Sequence, residues 1–295
     1  MSTNLSGSVG YTLLELNNTP NNMHVLLLAD IHDGINYCTM TNSEMVASWL
    51  NKKSNNNTIL LEEIIREKFK LTPLWPNSQH TSELQQLKET NDKIIPIDIR
   101  PMLIPFSWEL INKTTEIGNM KLVEYISKLV NLFNKKSEFY NKYFKHKIDK
   151  MMLTQLNLKK SKVSPLVHYN ELNILFNNFL DTYKNNMNDS IYNIKTSNIN
   201  ILYKINNLIS LIMEWYIVLL IHDSDYKHSI IHIGLAHSNH ILDILIMVYR
   251  FKIIEQRGIN LIQQIKSDTP SACLVIPSHI NNMYNNKYGM MQYYS

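Results

Sequence analysis

The sequence predicts an α/β protein: a mainly parallel sheet flanked by helices, with a large helical insertion or cap in its middle. Short apolar runs at residues 25–28, 59–61 and 94–97 alternate with helical stretches in the first hundred residues. Strand, helix, strand at such short spacing implies parallel pairing through right-handed crossovers. From about residue 107 to residue 216 long amphipathic helix replaces the strand signal, which returns at residues 229–233. The expected organisation is residues 1–105 as the first part of the core, 106–222 as the insertion, 223–280 as the second part and 281–295 as a loose C-terminal tail.

Taken in order, residues 11–16 form a lead-in strand, and residues 25–28 have the unbroken apolar character of a strand covered on both faces. Thr41 and Asn42 are placed to cap a helix whose apolar residues Met45, Val46, Trp49 and Leu50 recur at helical spacing. Residues 59–61 make a second buried strand ending in Glu62 and Glu63, residues 82–89 a helix, and residues 94–99 a third strand carrying Asp98. In the insertion, Leu122, Tyr125, Ile126, Leu129 and Leu132 make one apolar stripe and Ile201, Ile205, Leu208, Ile209 and Ile212 another. A helix through Ile241, Leu245 and Val248 and a short strand at residues 272–276 complete the core.

With 44% hydrophobic and 18% charged residues among 295, the chain has the composition of a folded protein with a full core and not of a disordered one. The net charge of +4 is spread along the chain, so there is no strong nucleic-acid signal. Cys38 and Cys273 cannot make a disulfide framework and no Cys-x-x-Cys occurs, which points to a reducing compartment and to Cys38 as a small buried residue. Residues 1–10 lack the basic and apolar regions of a secretory signal. The apolar run at residues 205–221 is interrupted by Asn206, Asn207 and Glu214, which favours a buried helix over a membrane span. A soluble, cytoplasmic protein is the expectation. Richness in Asn, Ile and Lys suggests an AT-rich coding genome, such as that of a large DNA virus or some protists; a viral protein would act in the host cytoplasm or the virion.

Ionisable residues gather where the apolar strands end: Asp30 and His32, Glu62 and Glu63, Asp98 and Arg100, and His237 after Gly234. Carboxyl ends of parallel strands are where ligands collect in such folds. His32 and His237 share one grammar, an apolar run, a small residue, two spacers and the histidine, in Ala29-Asp30-Ile31-His32 and Gly234-Leu235-Ala236-His237.

These segments, with Leu60-Leu61-Glu62-Glu63 and Ile97-Asp98-Ile99-Arg100, resemble the TraB/TIKI/ChaN/erythromycin-esterase superfamily. That superfamily is marked by an early and a late Gly-x-x-His motif, an acidic residue closing the second strand and an arginine between. The resemblance is nearest to members found in large DNA viruses, with Cys38 in the place of a cysteine that follows the first motif. It spans roughly residues 20–105 and 228–280. The first motif has Ala29 in place of glycine, a position that a positive φ or a close approach would strain.

The resemblance implies several chemistries: metal-dependent proteolysis, metal-free ester hydrolysis on a histidine base, haem binding, or membrane-associated regulation. For a hydrolase of ester or peptide bonds, His32 is the general base, with Glu62 or Asp30 holding its ring, and His237 is the second base or the acid for the leaving group. Arg100 would bind an anionic substrate or an oxyanion, with Asp98 holding the guanidinium; Asp30 completes this substrate-binding set. In a metal version, His32, Glu62 and His237 form a two-histidine, one-carboxylate set for a divalent ion, Mn, Co or Zn. The partner is then a small-molecule or peptide substrate, and the oligomeric state stays open.

Plainer readings stand beside these. Asp30 and His32 can serve only to cap a turn, and Glu63 points away from Glu62 on a strand. His222, Asp223, Asp225, His228 and His232 suggest a metal cluster, but Asp223-Ser224-Asp225 is ordinary turn chemistry. His24, His80, His146, His168, His240 and His279 are isolated in sequence and default to structural roles. A catalytically inactive viral binding, structural or host-interaction protein is the alternative function. A metallophosphoesterase, suggested by Asp30-x-His32, comes third, since its other motifs are missing.

Overall fold

The computed structural model describes residues 1–16, 23–65, 78–103, 111–149, 166–223 and 228–285, with the backbone alone at 166–173 and 223. It is a mixed α/β fold with two sheets flanked by helices and a large helical insertion between strand regions. Two compact units make up the chain: Met1–Asp98 with Asp223–Ser295, and Ile99–His222.

The first unit holds strands β1 (Thr3–Ser6), β2 (Gly10–Leu16), β3 (Met23–Asp30), β4 (Asn36–Tyr37), β5 (Ser43–Met45), β6 (Thr58–Ile64), β7 (Ile94–Asp98), β8 (His228–Gly234), β9 (Lys252–Gly258) and β10 (Ser271–Ile276). The larger sheet has the order β7-β6-β8-β3-β2-β9. Its first four strands are parallel, and they are the four strands legible as apolar runs. The runs at residues 11–16 and 272–276 are β2 and β10, but the sequence did not signal their antiparallel pairing, the edge strand β9 or the second sheet, β4-β10-β1-β5.

Alternation along the strands explains both layers. Leu26 and Leu28 of β3, Ile230 of β8, Ile59 and Leu61 of β6 and Tyr11 and Leu13 of β2 share one buried cluster. The same cluster takes in Trp49 and Leu50 of the helix Val46–Lys53, Leu84 and Leu87 of the helix Gln79–Thr90, and Leu5, Leu274 and Ile276 of the small sheet. On the opposite face the helix Leu235–Met247 packs against β3 and β8. Gly7, at φ +103°, turns the chain out of the small sheet into the larger one, and a Cβ there would stand 3.0 Å from His80 Cβ.

Several local expectations shift. Thr41 and Asn42 do not cap the first helix: Ser43–Met45 pairs with β1 as a strand, and the helix begins at Val46 behind Met45. Cys38 and Cys273, expected as separate thiols, form a disulfide across 235 residues of sequence. The cause is register: Tyr37 pairs with Ala272, which brings the next residue of each strand together. Ala29 needs no positive φ; it packs with Val9, Leu235 and Ala272. The tail expected from residue 281 starts inside the helix Ser278–Met283. There the Lys53 ammonium donates to Asn281 O at 3.2 Å, to Asn281 Oδ1 at 2.7 Å and to Asn285 Oδ1, and Trp49 Nε1 donates to Asn281 Oδ1 at 3.1 Å. Residues 286–295 lie outside the described residues.

In the second unit the helices Leu122–Leu132, Leu166–Thr182, Ile191–Ser197 and Ile199–Asp223 dominate. Residues 199–222 are long and apolar enough to cross a membrane by length and composition, with 72% of their apolar window buried. A buried core helix passes the same test.

Asn281→Ala should cost about 1–3 kcal/mol by stranding the buried Trp49 indole donor and removing one of the three acceptors of the Lys53 ammonium. A lowered denaturant midpoint at unchanged slope is the expected result.

Candidate functional site

The parallel strands deliver their ends to one edge of the larger sheet. Asp30 closes β3 opposite Gly234, which closes β8, and Glu62 lies two residues before the end of β6. Between Leu61/Pro96 and Ile64/Asp98, β6 has one residue more than β7, a bulge that spans Glu62 and Glu63. Bulges re-aim side chains at the expense of the ladder. Here the Glu62 carboxylate accepts a 2.6 Å hydrogen bond from the Gly234 amide, at the N-terminus of the helix Leu235–Met247, where amides are unsatisfied and the helix dipole favours an acidic group.

His32 Nε2 stands 3.7 Å from Glu62 Oε2, and His237 Nε2 stands 3.7 Å from Glu62 Oε1. Those separations exceed a hydrogen bond, so the carboxylate sits between two imidazoles without being consumed by either. Gly234 is what permits this. A Cβ on it would lie 3.1 Å from both Glu62 Oε2 and His32 Nε2, filling the gap between them.

Behind His32 the site is tightly bonded. Asp30 is 2% exposed; its Oδ2 is 2.7 Å from His32 Nδ1 and its Oδ1 is 2.8 Å from His80 Nε2. Burial works to raise the Asp30 carboxyl, but hydrogen bonds from His32 and His80 and the nearby His232 outweigh it, and Asp30 lies well below the usual carboxylate range. An ionised carboxylate only accepts, so His32 donates through Nδ1, and Nε2 is the atom that faces Glu62. His80 likewise donates from Nε2, and its Nδ1 lies 2.9 Å from the Tyr37 hydroxyl and 3.0 Å from the Ser78 hydroxyl.

Sequence reasoning set His80 among the isolated histidines and His232 in a cluster with turn residues, and assigned neither to this site. His80 sits in the first turn of a helix, with no strand or motif to mark it. Its partner Asp30 is 50 residues away, so only the fold reveals the pair. His232 is an interior position of β8, and burial pulls its imidazole down to about 4. Nε2 of His232 has no hydrogen-bond partner among the described residues. Alternation on β8 carried the one available signal, since His232 falls on the same face as Ile230 and Gly234.

The remaining candidates are placed by the elements that carry them. Asp98 closes β7 and is buried, with its carbonyl accepting from Ile65 N at 3.2 Å. Arg100 opens the turn Arg100–Leu103 in the second unit. Asp30, expected in the substrate-binding set, is bonded to the imidazoles of His32 and His80. His222 ends the helix of the second unit, while His228 begins β8 in the first; Asp225 lies outside the described residues. Among the described residues no group of three or more His, Cys, Asp or Glu side chains is arranged to hold a metal ion, the His32, Glu62 and His237 set included.

Compared with family models, with curated proteins and with solved structures, the chain matches none.

Burial of His232 sets a pH dependence. Its folded value of about 4 lies below the unfolded value near 6.5, so the unfolded chain takes up the proton first, and stability falls as pH drops through that window. His222, likewise lowered to about 4 by burial, adds to the same slope. Replacing His232 by Leu should flatten the loss of stability between about pH 6.5 and 4, by an amount on the order of a few kcal/mol at the acid end. Denaturation midpoints taken across that range in wild type and variant make the comparison.

Proposed function

We propose that this protein is a hydrolase of ester or peptide bonds that works without routing the reaction through a metal. The observation that carries this reading is the Asp30–His32 hydrogen bond at 2.7 Å, with His32 Nε2 turned toward the carboxylate that His237 faces from its other oxygen. His32 Nε2 takes a proton from water as that water attacks the carbonyl carbon. Asp30 holds the tautomer and stabilises the imidazolium that forms, as the carboxylate of a hydrolytic triad does. Glu62 orients the attacking water, and His237 protonates the departing alcohol or amine as the tetrahedral intermediate collapses. The carboxylate is fixed in place beforehand by the Gly234 amide, so it need not reorganise during the reaction.

The resemblance noted from the sequence admits a metal at His32, Glu62 and His237. Those donors suit a divalent ion chemically, and no step is derived through one.

A broad ester and peptide hydrolysis screen on the purified protein, run with and without chelator, tests this reading. His32→Ala and His237→Ala should each lower the rate about 10²- to 10⁴-fold while the protein stays folded. Glu62→Gln should be comparably damaging, since it keeps the shape and loses the charge. Full activity in all three variants would move the site elsewhere, and no hydrolysis of any substrate by wild type would favour a binding or structural role on the same fold. Inactivation by chelator, reversed by a divalent ion, would replace the metal-free mechanism.

A further inference from the structure

We propose that the Cys38–Cys273 disulfide is a redox lock on this site: its reduction frees the segment carrying Tyr37 and so loosens the His80–Asp30 support behind His32. The inference rests on the reading of Asp30 and His32 as the working pair.

The segment that follows His32 has few noncovalent anchors. Asp33, Gly34, Asn36, Thr39, Met40, Thr41 and Asn42 are exposed, and Ile35, Tyr37 and Cys38 are only partly buried. Its strand, β4, pairs with β10 over two residues only, Asn36 with Ser271 and Tyr37 with Ala272. Beyond that ladder, Asn36 N donates to Pro270 O at 2.9 Å, Asn36 Nδ2 to Thr269 O at 3.0 Å and Thr269 Oγ1 at 3.2 Å, and Cys38 N to Ser6 Oγ at 3.1 Å, while Ile35 packs at the margin of the cluster of Val9, Ala29, Leu235 and Ala272. A stretch with so little buried apolar surface opens locally at small free energy. The covalent bridge, at the residue next to Tyr37, is what opposes opening.

Tyr37 links the segment to the site. Its hydroxyl lies 2.9 Å from His80 Nδ1 and also accepts from the His80 amide at 3.2 Å. His80 in turn holds Asp30 Oδ1 while Asp30 Oδ2 holds His32. Once Tyr37 moves away, Ser78 alone remains on the far side of the His80 ring, and Asp30 is held less firmly against His32. Tyr37 and His80 are positioning residues; neither touches the reacting atoms in the proposed mechanism.

Cys38 and Cys273 are both partly exposed, within reach of a reductant. A dithiol supplies the chemistry: one of its thiolates attacks a sulfur of the bridge and forms a mixed disulfide, releasing the other cysteine as a thiol. Its second thiol then displaces the remaining cysteine. The protein gains two electrons and two protons, and the dithiol leaves as a disulfide.

The test uses the full-length protein in oxidised form and after treatment with dithiothreitol, read by amide hydrogen exchange and by the ring-nitrogen resonances of His32 and His80. On reduction, the amides of Asn36, Tyr37 and Cys38 should exchange at least about tenfold faster, with β3 and β8 still protected, and both ring signals should move. The double variant Cys38→Ser/Cys273→Ser should reproduce the reduced state without reductant. Tyr37→Phe, with the bridge intact, should move the His80 ring signal while Cys38 stays protected. If the reduced protein unfolds as a whole, the Tyr37→Phe protein decides, and unchanged His80 and His32 rings would overturn the proposal. So would equal exchange in the two redox states, or two free thiols in air-exposed, unreduced protein. None of these readings involves hydrolysis, so failure of the hydrolase reading cannot be mistaken for failure of the lock.

Discussion

A carboxylate removed from water is tolerated only when other groups replace its hydration, and Asp30, at 2% exposure, has given up nearly all of it. Two imidazoles supply the replacement, one on each oxygen, and each must present an N–H to do so. That requirement fixes the tautomer of His32 and the orientation of His80. Through His80 it reaches the hydroxyls of Tyr37 and Ser78, which come from β4 and the start of a helix. The strand end, the small sheet and the first turn of the helix Gln79–Thr90 therefore meet around a single buried charge. Gly7 contributes by having no side chain where His80 passes.

The central strands were legible because buried parallel strands are unbroken apolar runs, and residues 25–28, 59–61, 94–97 and 230–233 have no competing pattern. His32, Glu62 and His237 were legible for a related reason: each lies just beyond such a run, where an ionisable side chain stands out. The elements that escaped notice have weaker or misleading signals. β4 and β5 are two and three residues long, too short for periodicity to register. β9 is almost wholly exposed, and its alternation is broken at Ile254 by a bulge. His80 lacked a signal altogether, since what defines it is a tertiary partner. The cysteine pair was hidden in the same way, because it depends on the register between two short strands far apart in sequence.

The bulge in β9 and that in β6 serve different ends. At the outer edge of the larger sheet, Ile254 interrupts the ladder and Lys252 and Arg257 place charge on a strand that could otherwise recruit another. Near the other edge, the extra residue in β6 leaves Glu62 facing the imidazoles and not the core. The same irregularity protects a border in one place and aims a functional group in the other.

The route of the chain between β7 and β8 has a consequence for any attempt to dissect the protein. Both strands run parallel to β6, so Asp98 lies at the carboxyl edge of the sheet and His228 at the amino edge, with β6 between them. Asp98 and His228, where the strands of the first unit break off and resume, thus lie at opposite borders of its sheet, roughly 20 Å apart by the rise of a strand. Excising the second unit and splicing the cut ends through a tight turn would force β8 to reverse direction and carry Gly234 and His237 away from His32. A minimal first unit needs a replacement bridge of about a dozen residues, enough to recross the face of the sheet.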